Sequence, residues 1–404
     1  FNFGSDETTQ TSLFAAAALV RGQYAKSNFT GREGNQGPYK LKGPNGELYV
    51  LVISGSERVY VNGVLLERGE NNDYTIDYNA GELLFTPVFP ITSEMRIAVE
   101  YQYSERSYNR IVTYAGGSVT AEKWNISTAV YAESDLKNQP LQQTLTQEQL
   151  AILQTAGDDA ASTYASSAYV DTYAASKVLY KKTTTNGVTY FVYSNNAEDV
   201  LYNVRFTLLG PNQGDYVLTN ASVVGKLFEY VAPINGVKQG NYDPVIKLVP
   251  PTKLQIATVT GAIHPNDKTT FDWELALSEN DANLFSSQND NNNKGLAGKW
   301  NLKQRLLSKK WQLDASSSFQ YVQEDFKTIE RLTSIEFARD WNLGLFTGNQ
   351  SIFSAKLDAQ LPKKGNLAYQ YENLGLTNNF TGNRQQLSGA FQLGTWSIHQ
   401  QGSV

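Results

Sequence analysis

Between residues 253 and 404, apolar and polar side chains alternate over runs that are long for a globular strand. Phe271, Trp273, Leu275 and Leu277 alternate with Asp272, Glu274 and Ser278. Leu296, Trp300 and Leu302 alternate with Lys299, Asn301 and Lys303, with Arg305 a little further on. Trp311, Leu313, Ala315, Phe319 and Tyr321 alternate with Gln312, Asp314, Ser316 and Gln320, and Ala355, Leu357, Ala359 and Leu361 with Lys356, Asp358 and Gln360. Successive side chains of a strand point to opposite faces, so each run predicts a strand with one oily and one polar face. Globular strands usually have about 5–6 residues. A strand that crosses a bilayer needs about 9–11, with apolar side chains toward lipid and polar ones toward a lumen. Lipid offers no partner to an open sheet edge, so such a sheet must close. The pattern therefore predicts an outer-membrane-type antiparallel barrel wall. A large soluble sheet buried against a second one would carry the same alternation and is the competing reading.

Composition narrows the function classes. The 404 residues include 24 Tyr, 18 Phe, 6 Trp and 31 Gly, as strands and turns favour. Charged residues make up 18% and the mean hydropathy is −0.40, so the polarity comes from Asn, Gln, Ser and Thr. A net charge of −5 argues against a nucleic-acid footprint. Without cysteine there is no disulfide framework or thiolate chemistry. His264 and His399 are the two histidines, which leaves little for a histidine-based metal site or general base. No run approaches about 18 apolar residues, so no transmembrane helix is expected, which does not speak against a barrel. Residues 13–20 are apolar but lack the basic start of a signal peptide. The chain begins at Phe1 without Met and stops at Val404 in what reads as mid-strand, so a piece of a longer polypeptide is expected.

The fold class read from these patterns is all-β, in five segments. Residues 1–40 read as a lead-in strand and a Gly-rich turn. Residues 41–104 read as a small antiparallel β-sandwich: Asn62–Gly63 marks a tight hairpin, Tyr74, Ile76 and Tyr78 alternate, and Ile97, Val99, Tyr101 and Tyr103 share one face. Residues 105–135 read as a long hairpin turning at Glu122–Lys123, with Trp124, Ile126 and Val130 on one face and Asn125, Ser127 and Glu133 on the other. Residues 136–252 read as an inserted α+β loop domain. Thr146 and Gln149 form a capping box for one short helix that Gly157 ends, and strands follow around Asn186–Gly187 and Asn235–Gly236. Residues 253–404 are the antiparallel barrel-type strands.

The sandwich region carries specific motifs: Val59-Tyr-Val-Asn-Gly-Val-Leu-Leu66, Asp73-Tyr-Thr-Ile-Asp-Tyr78 and Gly81-Glu-Leu-Leu-Phe85. They resemble a β-sandwich repeat of bacterial surface and envelope proteins. With Gly34-Asn-Gln-Gly-Pro-Tyr39, Gly236-Val-Lys-Gln-Gly-Asn-Tyr242 and Phe337-Ala-Arg-Asp-Trp-Asn342, the wider chain resembles a family of very large, poorly characterised Bacteroidota envelope proteins. The resemblance implies a secreted precursor, a β-repeat region and a long array of barrel-like strands, and implies no known activity. The sandwich pattern is also similar, locally, to the giant translocon barrel of type IX secretion.

No motif marks a catalytic site, a metal site or a cofactor site. Phosphate-binding glycine loops, a nucleophile elbow and His-Glu-x-x-His are all missing. Glu70, Asp73 and Asp77 could suggest Ca²⁺, but their places at a turn and on a strand face read as structural. The 289–294 Asn/Asp run lacks the glycine and closing glutamate of a Ca²⁺ loop. Two sets of residues stand out instead. Trp124, Trp273, Trp300, Trp311, Trp341 and Trp396 lie near strand ends, as membrane-interface aromatics do. Asp272, Glu274, Lys299, Lys303 and Arg305 share the polar side and would face a lumen, or equally form the solvated face of a soluble sheet. The expected function is a non-enzymatic outer-membrane barrel protein of a Gram-negative envelope, in transport, protein export or scaffolding. Its expected partners are outer-membrane lipid, other envelope proteins and a glycan or exported protein, with no nucleic acid. A soluble surface adhesin or carbohydrate-binding sandwich is the alternative.

Overall fold

The alternating runs pair with one another in chain order. Twelve strands form one antiparallel sheet: β1 (Asn2–Asp6), β2 (Thr9–Val20), β3 (Tyr108–Ala121), β4 (Trp124–Pro140), β5 (Lys253–Asn266), β6 (Thr269–Asp281), β7 (Lys294–Ser308), β8 (Gln312–Val322), β9 (Gln350–Leu361), β10 (Gly365–Leu376), β11 (Phe380–Leu393) and β12 (Trp396–Ser403). The computed structural model describes the chain except residues 1, 7–8, 21, 44–49, 105–106, 142–143, 223–224, 345, 363, 378–379 and 394–395. The protein is all-β apart from short helices such as Gln147–Ala156. Among the described residues the sheet is open, with β1 and β12 each bonded on one side.

Register decides what each face carries. Gly261, Trp273, Trp300, Phe319 and Phe353 lie in one cross-strand row. Val130, Ala257, Leu277 and Leu296 lie in another. Following these rows from Leu13 and Leu19 on β2 to Leu387 and Phe391 on β11, one face carries no charged side chain between its ends. Lys253, Glu279 and Lys294 close it at one end. The charges of the sheet's interior, including Arg110, Glu133, Lys356, Asp358, Glu372 and Arg384, sit on the opposite face. Among the described residues nothing covers much of the apolar face: Leu19 is 64%, Val130 52%, Leu275 54% and Leu277 60% exposed.

The two ends of the sheet differ. At one end the chain turns within a few residues, at 122–123, 267–268, 309–311 and 362–364. At the other end, four strand pairs are joined by the long segments 21–107, 141–252, 282–293 and 323–349, and β10 is joined to β11 by residues 377–379.

Segment 21–107 holds the sandwich. Its four-stranded sheet (Gly22–Thr30, Arg96–Ser104, Arg58–Val61, Val64–Leu65) packs on a three-stranded one (Tyr39–Lys40, Glu82–Phe85, Tyr74–Asp77) over a core of Leu41, Val59, Leu83, Phe85, Ile97, Val99 and Tyr101. The expected 1–40 lead-in is thus divided: β2 belongs to the large sheet, and Gly22–Thr30 pairs with Arg96–Ser104 inside the sandwich. The motifs have local causes. Asn62 (φ 50°) and Gly63 (φ 86°) supply the left-handed pair of the tight hairpin. Gln36 donates to the carbonyls of Thr86 (2.6 Å) and Phe89 (3.1 Å) and accepts from the Ile91 N–H (2.9 Å). Asp73 accepts the Glu67 N–H at 2.8 Å, and Asp77 accepts those of Asn79 and Ala80, so these carboxylates hold turns.

Residues Thr144–Pro250 with Phe285–Gln288 form a second compact unit. Its helix Gln147–Ala156 has the Thr146/Gln149 capping box and ends at Gly157, which sits at φ 60°. Two four-stranded sheets close on an aromatic core of Tyr180, Phe191, Phe206, Tyr216 and Phe228, with Phe206 stacked on Phe228 at 4.5 Å. The sheets exchange hydrogen bonds through buried tyrosines. The Tyr216 hydroxyl accepts the Phe191 N–H at 2.7 Å, and the Tyr180 hydroxyl accepts the Phe228 N–H at 3.0 Å. Each hydroxyl satisfies a backbone donor on an edge strand of the facing sheet. Burial pushes the Tyr216 hydroxyl up to about 12.

A buried ion pair marks where β4 and β5 part. Arg110 Nε and Nη2 bond the two oxygens of Asp135 at 2.8 and 3.0 Å, and Asp135 accepts the N–H (2.8 Å) and hydroxyl (3.0 Å) of Thr252. Both charged side chains are 6% exposed.

Two outcomes follow. Asp135→Asn breaks the bidentate pair and leaves the buried guanidinium only the longer contact to Glu133 at 3.8 Å, and is expected to cost about 3 kcal/mol. The midpoint of urea unfolding in detergent measures it, and an unchanged midpoint would show the clamp to be dispensable. Tyr216→Phe orphans the Phe191 N–H and is expected to lower the stability of the second unit by about 1–3 kcal/mol, read from the loss of tyrosine near-UV dichroism in denaturant.

Candidate functional site

The five polar residues singled out in the sequence share the polar face of the large sheet. Lys299 bonds Glu274 at 2.9 Å, and Arg305 bonds Asp314 through two nitrogens at 2.9 and 3.3 Å. Asp272 lies opposite Asn301 and, with Asn125, Thr260, Glu274 and Lys299, lines a recess of about 240 Å³. Lys303 lies opposite Ser316 in the same rows. Acids and bases here interleave on neighbouring strands, which gives a polar wall with no single-sign field.

The tryptophans divide. Trp124 (41% exposed), Trp273 and Trp300 lie on the apolar face, in the half nearer the short turns, and Trp311 (54% exposed) lies in one of those turns. The Trp273 ring covers Gly261, where an added Cβ would meet it at 2.5 Å. Trp396 pairs with Leu393 through its backbone, and its side chain lies outside the described residues. Trp341 corrects the expectation. It is 9% exposed and packs with Leu374, Leu376, Ile352 and Phe380, whose register places Leu374, Leu376 and Ile352 on the polar face. The reason is local: Trp341 follows the helical turn Phe337–Asp340 in segment 323–349, and that segment folds back over the polar face.

This strap and the sandwich make the most elaborate polar junction outside the sheet. The strap leaves β8 as the Gln323 N–H bonds the Leu296 carbonyl at 2.9 Å. It crosses the polar face so closely that a Cβ at Gly295 would stand 2.2 Å from the Phe326 nitrogen, which makes glycine necessary there. The Lys327 N–H donates to the Ser278 hydroxyl, 3% exposed beneath it, at 3.0 Å. Arg331 then reaches the sandwich. Its Nε bonds Glu100 at 2.6 Å, its Nη2 donates to the Tyr60 hydroxyl at 3.1 Å, and the guanidinium lies 5.3 Å from the Tyr60 ring centre. Arg58–Glu330 (3.5 Å) and Arg96–Glu336 (3.2 Å) add pairs on either side. Finally Trp341 seats on β10 and β11, with Arg384 stacked 5.0 Å from its ring and itself paired to Glu372.

Glu100 is the centre of this junction. It points away from the sandwich core, between Lys26 and Arg58 on the adjacent strands, yet is 4% exposed. The Tyr24 hydroxyl donates to it at 2.9 Å. Burial, and then the bond to Glu100, raises the Tyr24 hydroxyl well above its ordinary value, and burial lowers the Lys26 ammonium. Beside the junction lies a cavity of about 550 Å³, lined by Tyr24, Gln102, Arg110, Glu133, Asn280 and Lys327 among others. None of Glu100, Glu330, Arg331 or Glu336 stands out in the sequence. Glu100 reads as the solvent-facing partner of Val99 and Tyr101. The available signal is segment length, since loops beyond about 15 residues carry structure or function of their own.

Residues 24–105, the sandwich, match a family described as a domain of unknown function (DUF8818). No curated protein matches the chain. No solved structure matches it.

The Tyr24–Glu100 bond carries a pH signature. A raised folded pKa means that the bond's contribution is complete below about pH 10 and is lost as pH climbs toward the folded value. The stability difference between the native protein and Tyr24→Phe is therefore expected to be flat from pH 7 to 9 and to shrink at pH 11. A difference that held constant to pH 11 would contradict a buried neutral hydroxyl at this position.

Proposed function

We propose that this chain forms wall and cap of an outer-membrane β-barrel that serves transport, protein export or envelope scaffolding by binding partners, without catalysis. One observation carries the reading: across the ten consecutive strands from β2 to β11 one face is free of interior charge and leaves large aliphatic side chains bare. In water such a face is an aggregation liability; against acyl chains it is the required surface, and the polar face then lines a lumen. The strands support it by length, 11–17 residues from β2 to β11, enough to cross at the usual tilt. A soluble sandwich would bury that face against a second sheet, and the exposure of Leu275 and Leu277 speaks against that.

The turn-length asymmetry supports an orientation. Bacterial barrels keep short turns on the periplasmic side and long loops outside. On that rule the sandwich and the strap belong to the outer side of the membrane, and Trp124, Trp273, Trp300 and Trp311 to the periplasmic aromatic girdle. Lipid leaves no edge unpaired, so in the bilayer β1 and β12 must each be paired on their second side as well. The resemblance of the sandwich motifs to envelope repeats accords with this location.

The full-length protein is expected in the detergent-extracted outer-membrane fraction, migrating differently in gels with and without boiling. Release from membranes by carbonate, with one mobility in both lanes, would overturn the barrel and direct attention to glycan binding by a surface module.

A further inference from the structure

We infer that the strap, residues 323–349, is a gate over the polar face, latched to the sandwich through Arg331 and Glu100; this rests on the barrel reading above. Three features point to a closed position held from outside the wall. The strap touches the polar face at both ends, at Ser278 and Gly295 through Lys327 and Phe326, and at Leu374 and Leu376 through Trp341. Between these anchors Leu332 helps close a recess over Glu274, Lys299 and Gln320, groups that would otherwise face an open lumen. Midway, the strap is held by charge to the sandwich, which has a hydrophobic core of its own. Three ion pairs, with the Tyr60 contact, converge on the sandwich sheet within residues 330–336.

The chemistry of the latch differs from that of the anchors. Hydrophobic anchoring at Trp341 is non-directional and needs no partner domain. The Arg331–Glu100 pair is nearly dry on the carboxylate side, with Glu100 5% and Arg331 31% exposed, so losing Arg331 leaves a buried carboxylate without its ion-pair partner. Movement of the sandwich would therefore release the strap between its anchors, and a ligand bound to the sandwich on the outer side could drive that movement. Only differential contact with the two states could do so. The cavity bordered by Tyr24, Gln102 and Lys327 lies where sandwich, strap and wall meet, and its shape would change with the latch.

The test uses the absence of cysteine from the chain. Ser278→Cys places a thiol under Lys327, and its reaction with a polar maleimide is timed in the purified full-length protein, in detergent and in proteoliposomes. Ion conductance across planar bilayers is recorded in parallel. The latch predicts slow labelling in the single variant. It predicts labelling at least about tenfold faster, with higher conductance, when Arg331→Met or the milder Glu100→Gln is added. Unchanged labelling in both double variants would overturn the latch. Faster labelling with unchanged conductance would overturn the gate and leave the strap a mere cover. Protein that labels faster but never inserts into bilayers would instead sink the barrel reading, and the gate with it, leaving the latch itself standing.

Discussion

A slip of one residue between β5 and β6 would carry Trp273, Leu275 and Leu277 to the polar face and Asp272 and Glu274 to the apolar one. Because strand pairing is sequential, such an error would pass to every later strand. Register is thus the constraint on which the apolar surface, the interleaved ion pairs and the seating of the strap all depend. Short turns at one end help to hold it, because a turn of two or three residues leaves almost no freedom to shift. At the other end, apart from the short 377–379 connection, the long segments impose no such limit. There the clamp of Arg110, Asp135 and Thr252 aligns β3, β4 and β5 where the insertion separates them.

The same geometry explains why polar chemistry gathers where it does. An interior charge on the apolar face would meet hydrocarbon if the sheet spans a membrane, at a cost of several kcal/mol. Charges are accordingly collected on the other face, where Glu274 meets Lys299 and Glu372 meets Arg384 across strands. Exposed pairs of this kind contribute little to stability. Pairs with a buried member matter more: in Arg110–Asp135 neither side chain can return to water without disassembling what covers it, and in Arg331–Glu100 the carboxylate cannot. Among the described residues the first such pair lies inside the wall and the second between the strap and the sandwich.

Much of the secondary structure was legible in local patterns. The capping box at Thr146 and Gln149, the Asn62–Gly63 hairpin and the alternation of Ile97, Val99, Tyr101 and Tyr103 each express a backbone preference satisfied within a few residues. The common polar side of Asp272, Glu274, Lys299, Lys303 and Arg305 was readable for the same reason, since period-2 alternation needs no knowledge of the partner strand. Trp341 failed that test. Its surroundings are made by a strap returning over strands that lie both before and after it in the chain, and nothing near residue 341 encodes that return.

The sequence by itself determined the all-β class, strand lengths, most turns and the segregation of oily from polar side chains, because these follow from spacing along one strand. Only the tertiary structure decided that ten strands from β2 to β11 share one uninterrupted apolar face. It alone showed that residues 22–30 belong to the sandwich, that two tyrosines of the second unit cap the backbone of the facing sheet, and that Glu100 is buried beneath Arg331. Each of these joins residues far apart in the chain. Whether an outward-facing carboxylate meets water or a guanidinium depends on where a distant loop comes to rest.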